Sequence, residues 1–275
     1  MSIKKWSEVG FSHYLMFRLV MENEEICKGF LERVLNLKIK ELKFLATEKS
    51  LEATLLSRCV RLDVYIVDDH NVAYDLEMQV GDLNSREMAK RCRYYQSLMD
   101  GDALKKGEAY ASLRKSYIIF VCTFDPFGEN RTKYTFSTKC EENYELKFED
   151  ECYKIIINTL GDKTGFSKDF VNLLNYINSG TPNDSYTQQI DARVLDLRQD
   201  NAAGVMYMQL EQHIMERERK AEEKGFAKGE AKGIEAVATK MLQNQIPLET
   251  IQKCTELSLP QLQELATKLG VSLVM

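Results

Sequence analysis

Alternating and helix-spaced apolar positions predict the order of elements in the first part of the chain. Apolar residues recur at close to a 3.6-residue period over residues 12–35, which predicts a helix. Three segments alternate apolar and polar positions as half-buried strands do, at residues 39–47, 61–67 and 72–79. Asp-Asp-His-Asn, residues 68–71, separates the last two and favours a tight turn. We therefore expect a helix followed by three strands, with a hairpin whose second face is polar.

A further helix and an apolar strand follow the predicted hairpin. Residues 84–100 carry an apolar stripe at helical spacing. Residues 116–124 form an unbroken apolar run of strand length, as expected for a strand covered on both faces. Shorter strand candidates lie at residues 133–138 and 153–159. The order helix, three strands, helix, strand indicates an α/β fold with a mixed sheet.

The chain becomes helical after about residue 161. We expect a sheet-containing core at residues 1–160, a helical extension at 161–221, and a Glu/Lys/Gly-rich segment with a small helical tail at 222–275. In that last segment, glycines recur at positions 225, 229 and 233. Because each interior glycine costs a helix about 1 kcal/mol, the segment is predicted to be a weak or hinged helix. The alternative is a surface through which the C-terminal helices form a homo-oligomer.

Composition and charge restrict the class of protein. Seven cysteines are scattered without a Cys-x-x-Cys pair, which is typical of reduced thiols in a cytoplasmic protein. No stretch approaches the roughly 18 apolar residues of a membrane span, and the N-terminus lacks the compact apolar run of a signal peptide. The net charge is -5, but residues 86–115 hold eight basic and four acidic residues. This local basic excess permits either contact with nucleic acid or an ordinary solvated helix face.

Two acidic residues of the predicted hairpin could form a metal site. Asp63 and Glu77 lie on adjacent strands and share the polar face, and Gln79 follows on the same face. Converging carboxylates provide hard oxygen ligands suited to Mg²⁺ or Mn²⁺. Such an ion polarises a phosphodiester and lowers the pKa of a bound water. Exposed strand faces also carry charges without any catalytic role, so spacing alone leaves both interpretations open.

Three segments carry a resemblance to a known family. RLDVYIVDDHNVAYDLEMQ (61–79), MAKRCRYYQSLMD (88–100) and YIIFVCTFDPFG (117–128) occur in this order. Together they resemble the recombination-promoting nuclease family, also described as PD-(D/E)XK nuclease family transposases. The resemblance implies a restriction-endonuclease-like core in which Asp63 and Glu77 are the metal ligands. It also implies DNA as the substrate and phosphodiester hydrolysis as the reaction.

The sequence departs from that family pattern at two places. Gln79 falls where the wider class commonly has lysine, so the positive charge must come from elsewhere, and Lys90, Arg91 and Arg93 on the next helix are candidates. His13-Tyr14 stands in the first helix where the family pattern is Asn-Asp. The acidic residues of that helix that could substitute are Glu22, Glu24, Glu25 and Glu32.

The sequence therefore predicts a metal-dependent DNA endonuclease that uses an activated water. Its catalytic residues would be Asp63, Glu77 and Gln79, with Lys90, Arg91 and Arg93 binding the DNA backbone. The competing hypothesis is a DNA-binding or partner-binding protein that keeps the nuclease fold without the chemistry.

Overall fold

Two helices, not one, form from the apolar periodicity near the N-terminus. The computed structural model describes residues 4–51, 60–81 and 85–271, and it contains helix α1 at Tyr14–Met21 and helix α2 at Glu24–Leu35. The side-chain oxygen of Asn23 accepts a hydrogen bond from the backbone N–H of Ile26 at 3.1 Å and so caps the start of α2. The single helix predicted over residues 12–35 is therefore wrong in this detail.

A mixed sheet follows, as the alternating pattern predicts. Its strands are β1 Leu42–Leu51, β2 Val60–Asp68, β3 Ala73–Gln79, β4 Ser116–Cys122, β5 Lys133–Phe136 and β6 Cys152–Asn158. The strand order is β1-β2-β3-β4-β6-β5. Strands β1, β2 and β3 are antiparallel, β3, β4 and β6 are parallel, and β5 runs antiparallel to β6. This architecture confirms the α/β, restriction-endonuclease-like mixed sheet.

The turn between β2 and β3 fixes the register of the hairpin. One carboxylate oxygen of Asp68 accepts hydrogen bonds from the backbone N–H groups of His70 and Val72, both at 2.9 Å. The other accepts one from the Tyr74 hydroxyl at 2.7 Å. Val64 consequently lies opposite Leu76, and Tyr65 opposite Asp75. Since side chains alternate along a strand, this register brings Asp63 and Glu77 to the same face.

That face is buried, contrary to the polar face predicted for the hairpin. Helix α3, Ser85–Ala103, packs over it and joins a hydrophobic cluster with strand residues. Members of the cluster include Tyr65, Val67, Ile118 and Phe120 from the sheet and Met88, Cys92, Tyr95 and Met99 from α3. Every residue from Ala73 to Met78 is buried. The acidic residues of β3 are therefore enclosed within the protein.

The remaining helices divide between two compact units, residues 1–207 and 208–275. They are α4 Lys168–Ser179, α5 Ser185–Gln199, α6 Asn201–Gln243, α7 Leu248–Thr255 and α8 Leu259–Leu269, and short 3-10 helices lie at Trp6–Glu8 and Tyr110–Ser112. In the first unit, α4 and α5 contact α2, and α5 also contacts α1. The domain boundaries predicted from the sequence stay a prediction.

The second unit has its own small apolar cluster. Ala238 and Leu242 of α6 pack with Ile251 of α7 and Leu262 of α8. The Leu-Ser-Leu-Pro turn between α7 and α8 contains Ser258, whose capping box with Gln261 starts α8. Helix α6 runs without a break through the three regularly spaced glycines. Among the described residues, no helix is long and apolar enough to cross a membrane.

Removal of residues 222–275 should leave the first unit folded. The contacts of that unit end at Tyr207, whose ring lies 5.3 Å from that of Trp6. We expect the protein ending at residue 221 to melt cooperatively, within a few degrees of full-length protein, in calorimetry. A protein ending at residue 199 is the matched control. It loses Tyr207 and should melt at a clearly lower temperature. Broad, uncooperative melting of the longer truncation would contradict the expectation.

Candidate active site

The β2–β3 ladder ends before either strand does, and this parting creates the site. Cα pairing between the two strands stops at Val64 and Leu76. Beyond that point β2 stays paired with β1 as far as Val60, and β3 stays paired with β4 as far as Gln79. The two central strands therefore separate where Asp63 and Glu77 lie.

Carboxylates replace the missing backbone partners at the parting. Glu77 Oε1 accepts a hydrogen bond from the backbone N–H of Asp63 at 2.9 Å. In the reverse direction, Asp63 Oδ2 accepts one from the backbone N–H of Met78 at 3.3 Å. Each acid thus satisfies a donor that a regular ladder would have satisfied. This exchange holds both carboxylates at one point on the sheet.

A third carboxylate, Asp75, lies two residues before Glu77 and on the same side of β3. Its side chain is fully buried, and both of its carboxylate oxygens lack a hydrogen-bond partner within the part of the chain that the structure describes. A buried carboxylate without donors is costly, and such groups usually serve a ligand or a function. Asp63, Asp75 and Glu77 therefore form one acidic cluster.

Arg91 of α3 supplies the positive charge at this cluster. Its Nη2 donates to Glu77 Oε2 at 3.2 Å and to the Tyr95 hydroxyl at 2.9 Å. Its Nη1 donates to Gln79 Oε1 at 2.9 Å. The Arg91 side chain is 29% exposed and that of Glu77 is 5% exposed, so the ion pair is largely screened from water. Arg91 consequently reaches from solvent into the acidic cluster.

The electrostatics follow from burial and mutual repulsion. Burial raises the pKa of Asp63 to about 6, although the Met78 N–H and the charge of Arg91 act in the opposite direction. Burial, followed by the negative charge of Asp63, raises the pKa of Asp75 well above its usual value. The pKa of Glu77 is raised by burial and then by its two acidic neighbours. Without a further cation, the cluster therefore resists full ionisation.

An open cleft of about 430 Å³ leads to the cluster. Its lining includes Lys4, His13, Tyr14, Asp63, Glu77, Gln79, Arg91 and Tyr207. His13 caps α1, with its Nδ1 accepting a hydrogen bond from the Leu15 N–H at 3.3 Å. The His13-Tyr14 pair noted in the sequence thus reaches the cleft and brings no carboxylate there.

The four glutamates considered as substitutes for that missing acid do not line the cleft: Glu22, Glu24, Glu25 and Glu32. Glu22 accepts a hydrogen bond from the Thr47 hydroxyl at 3.1 Å. Glu32 accepts one from the Ile39 N–H at 2.9 Å. The alternation of residues 72–79 puts Asp75 on the strand face of Glu77 and Gln79, but the sequence did not single it out. The sequence signal for Asp75 was this alternation with Glu77 and Gln79. The absence of hydrogen-bond donors around Asp75 among the described residues is visible only in the folded protein.

The three predicted DNA-binding residues of α3 do not lie on one face of the helix. Arg91 points into the acidic cluster, whereas Lys90 and Arg93 are exposed. Arg93 lines a second cleft, which has a volume of about 410 Å³ and does not include Asp63 or Glu77. Two residues along a helix differ by about 200° in direction, which accounts for the separation of Arg91 and Arg93.

Another group of possible ligands lies at the turn of the hairpin. Asp68, Asp69 and His70 place one ligand atom each within 4.8 Å of one another. The Asp68 oxygens, however, already accept the three hydrogen bonds that organise the turn. We therefore assign this group a structural role in the hairpin.

Comparison with known proteins identifies a family. A family model described as PD-(D/E)XK nuclease family transposase matches residues 11–160, which is more than half of the chain. The matched segment includes α1, the whole sheet and α3. No match was found among curated proteins or among solved structures.

The acidic cluster should make the metal-free protein less stable as the pH rises. A carboxyl group whose pKa is higher in the folded than in the unfolded protein binds a proton on folding, so stability falls from the unfolded pKa near 4 upward. For Asp63 this fall extends through about pH 6. Replacement Asp75→Asn removes one repelling charge. It should raise the unfolding free energy at pH 8 relative to wild type, by about 1.4 kcal/mol for each unit of pKa elevation that it relieves.

Urea unfolding in EDTA from pH 5 to pH 8 measures this effect. The Asp75→Asn protein should exceed wild type in unfolding free energy by a small amount at pH 5 and by a larger amount at pH 8. Asp196→Asn, on the exposed side of α5, is the control and should follow wild type throughout. An identical pH slope for Asp75→Asn and wild type would show that Asp75 carries no repulsive charge.

Proposed function

The chain belongs to the PD-(D/E)XK nuclease family transposases, and we propose that it is a metal-dependent DNA endonuclease with Asp63, Asp75 and Glu77 at its reaction centre. The family supports a nuclease or transposase-associated role. The proposal adds hydrolysis of phosphodiester bonds within DNA by an activated water. It also adds a part in recombination or in the movement of mobile elements, and a cytoplasmic location as expected from the cysteine pattern.

The observation that carries the proposal is the enclosed acidic cluster with unsatisfied oxygens. Asp63 and Glu77 line the cleft, and both oxygens of the neighbouring Asp75 are buried without donors among the described residues. Burial, followed by mutual repulsion, raises the pKa values of Asp75 and Glu77, and a divalent cation would neutralise the charge of their ionised forms. An all-oxygen donor set suits Mg²⁺ or Mn²⁺ and disfavours softer metals. The residues present therefore fit such an ion, with Asp63 and Glu77 as its principal ligands.

The protein groups around the cluster have separate tasks in the proposed reaction. Bound Mg²⁺ would supply Lewis-acid polarisation of the phosphodiester and a lowered pKa for its water. Gln79 can both donate and accept hydrogen bonds, so it can hold the attacking water or a phosphate oxygen, but it carries no charge. Arg91, 2.9 Å from Gln79, provides the cation that a lysine provides elsewhere in the class.

DNA would approach from the exposed side of the cleft. Lys90 and Arg93 lie on the exposed surface of α3, Lys90 next to Arg91 and Arg93 on the far side of the helix from it. Their proposed task is to contact phosphates away from the reacting bond, which fixes position without reading sequence. The basic excess in residues 86–115 favours this side of the molecule for the DNA backbone.

A second candidate function, DNA or partner binding without catalysis, is favoured by one observation. Arg91 already neutralises Glu77 and hydrogen-bonds Gln79, so the side chains proposed for catalysis satisfy one another. An internally paired site of this kind can be stable without any metal. The two functions differ in whether Mg²⁺ enables wild-type protein to cut DNA.

Replacement of either principal ligand should abolish cleavage. We expect Asp63→Asn and Glu77→Gln each to reduce Mg²⁺-dependent nicking of supercoiled plasmid by about 100-fold or more, because each weakens the binding of the cation whose charge would stabilise the reacting phosphate. Circular dichroism and Mn²⁺ titration calorimetry would check folding and metal affinity. Asp69→Asn, in the hairpin turn, is the control and should cut like wild type. Normal nicking by either ligand variant would remove the site assignment, and inactive wild type would favour the binding function.

The division of labour between Gln79 and Arg91 can be tested by rescue. Arg91→Ala should slow single-turnover cleavage by about 100-fold, since it removes a cation beside the developing charge. The double variant Arg91→Ala with Gln79→Lys should recover much of that loss, because the lysine restores the cation at the same point. Arg93→Ala is the matched control: at saturating DNA its rate should be unchanged, while the salt dependence of binding should flatten by about 0.9. No recovery in the double variant would contradict the assigned role of Arg91.

A further inference from the structure

The connection between β5 and β6 exposes large apolar side chains on an acidic background. Tyr144, Leu146 and Phe148 are 71%, 58% and 72% exposed, and they alternate along the chain. We call residues 139–151 the acidic loop; it contains six acidic and two basic residues. A bridge between Lys139 and Lys147 and a 2.7 Å hydrogen bond from the Thr138 hydroxyl to Asp150 hold its shape. Ordered, exposed apolar residues in such a setting are typical of an interaction surface.

A complementary surface lies beside this loop. The second cleft, of about 410 Å³, runs between α3 and the β5–β6 end of the sheet. Its apolar lining includes Met88, Phe127, Phe136 and Ile156, and Phe136 is 45% exposed. Two cations, Arg93 and Lys154, and one carboxylate, Asp100, also line it. The cleft is therefore an apolar surface whose charged side chains are positive in sum.

The two surfaces match in polarity and in charge. Aromatic and aliphatic side chains of the acidic loop would enter an apolar cleft, and its carboxylates would meet Arg93 and Lys154. We propose that the acidic loop of one copy of this chain docks into the second cleft of another copy. The occupant of the cleft is thus a second copy and not an unrelated partner.

The positions of the two surfaces favour a closed pair. Phe136 and Lys154 face each other across β5 and β6, and the acidic loop joins those same strands. Loop and cleft are therefore neighbours on one edge of the molecule. When complementary surfaces lie side by side, a two-fold axis allows both copies to exchange loops simultaneously, giving a dimer and not an open chain. The docked cleft does not include Asp63 or Glu77. It does include Arg93, so docking and phosphate contact are alternative tasks of that side chain.

Isotope-coded photo-crosslinking tests which copy the loop contacts. A ¹⁵N-labelled full-length protein with Tyr144→p-benzoylphenylalanine is mixed with unlabelled wild type and irradiated. We expect crosslinks from labelled loop peptides to unlabelled peptides that contain Phe127, Phe136 or Arg93. The same photo-crosslinker at Tyr110, which is 84% exposed and outside both surfaces, is the control and should not reach those peptides. Crosslinks confined to one copy, or directed to other surfaces, would overturn the proposal.

Complementation between two variants tests the energetics. Phe136→Glu alters the cleft, and Tyr144→Ser with Phe148→Ser alters the loop; all three side chains are substantially exposed, so folding should persist. Each variant alone should self-associate at least about tenfold more weakly than wild type in sedimentation velocity. A mixture of the two retains one intact loop–cleft contact and should associate more tightly than either alone. Wild-type association by either variant, or a mixture no tighter than its components, would overturn the pairing.

Discussion

Concentrated negative charge at the parting of β2 and β3 is the constraint on which the rest of the site depends. Asp63 and Glu77 each take the place of a ladder partner, so they can be removed only by leaving backbone donors unsatisfied. Asp75 adds a third carboxylate with no donor among the described residues. Burying an unpaired charge costs several kcal/mol. The packing of α3 on the sheet therefore requires that Arg91 lie beside these carboxylates. The packing of α3 is thus tied to the electrostatics of the hairpin.

The sequence determines the face on which these acids lie but not their burial. Alternate residues of a strand lie on the same face, so the pattern alone correctly places Asp63, Glu77 and Gln79 on one face. The same pattern predicts a polar outer face, and that prediction is wrong because α3 covers this side of the sheet. Tertiary packing decides which strands a helix covers, and local periodicity contains no information about it. The same limit hides Asp75, whose isolation from donors is a property of its surroundings.

Helix rotation explains a second difference between expectation and structure. The sequence groups Lys90, Arg91 and Arg93 as backbone contacts because they are close together along the chain. On α3, Arg91 turns toward Glu77 while Arg93 lines the other cleft. A helical wheel shows that Arg91 and Arg93 point in different directions, but it does not show which of them contacts the acidic cluster. The break at Asn23, in contrast, is visible in the sequence, since an asparagine followed by Glu24 and Glu25 is a typical helix start.

This protein has Gln79 where the wider class commonly has lysine, and this difference links the stability of the site to its proposed chemistry. A lysine at that position would hold its charge permanently beside the metal ligands. Arg91 instead reaches the site from a helix, and its guanidinium divides its hydrogen bonds among Glu77, Gln79 and Tyr95. In the proposed reaction, Asp63 and Glu77 would hold a divalent cation, whose charge would replace that of Arg91 beside Glu77. The guanidinium would then be available to the phosphate while its hydrogen bonds to Gln79 and Tyr95 orient it. Arg91 thus has two proposed roles, pairing with Glu77 in the resting protein and stabilising the phosphate in the reaction. It cannot perform both at once.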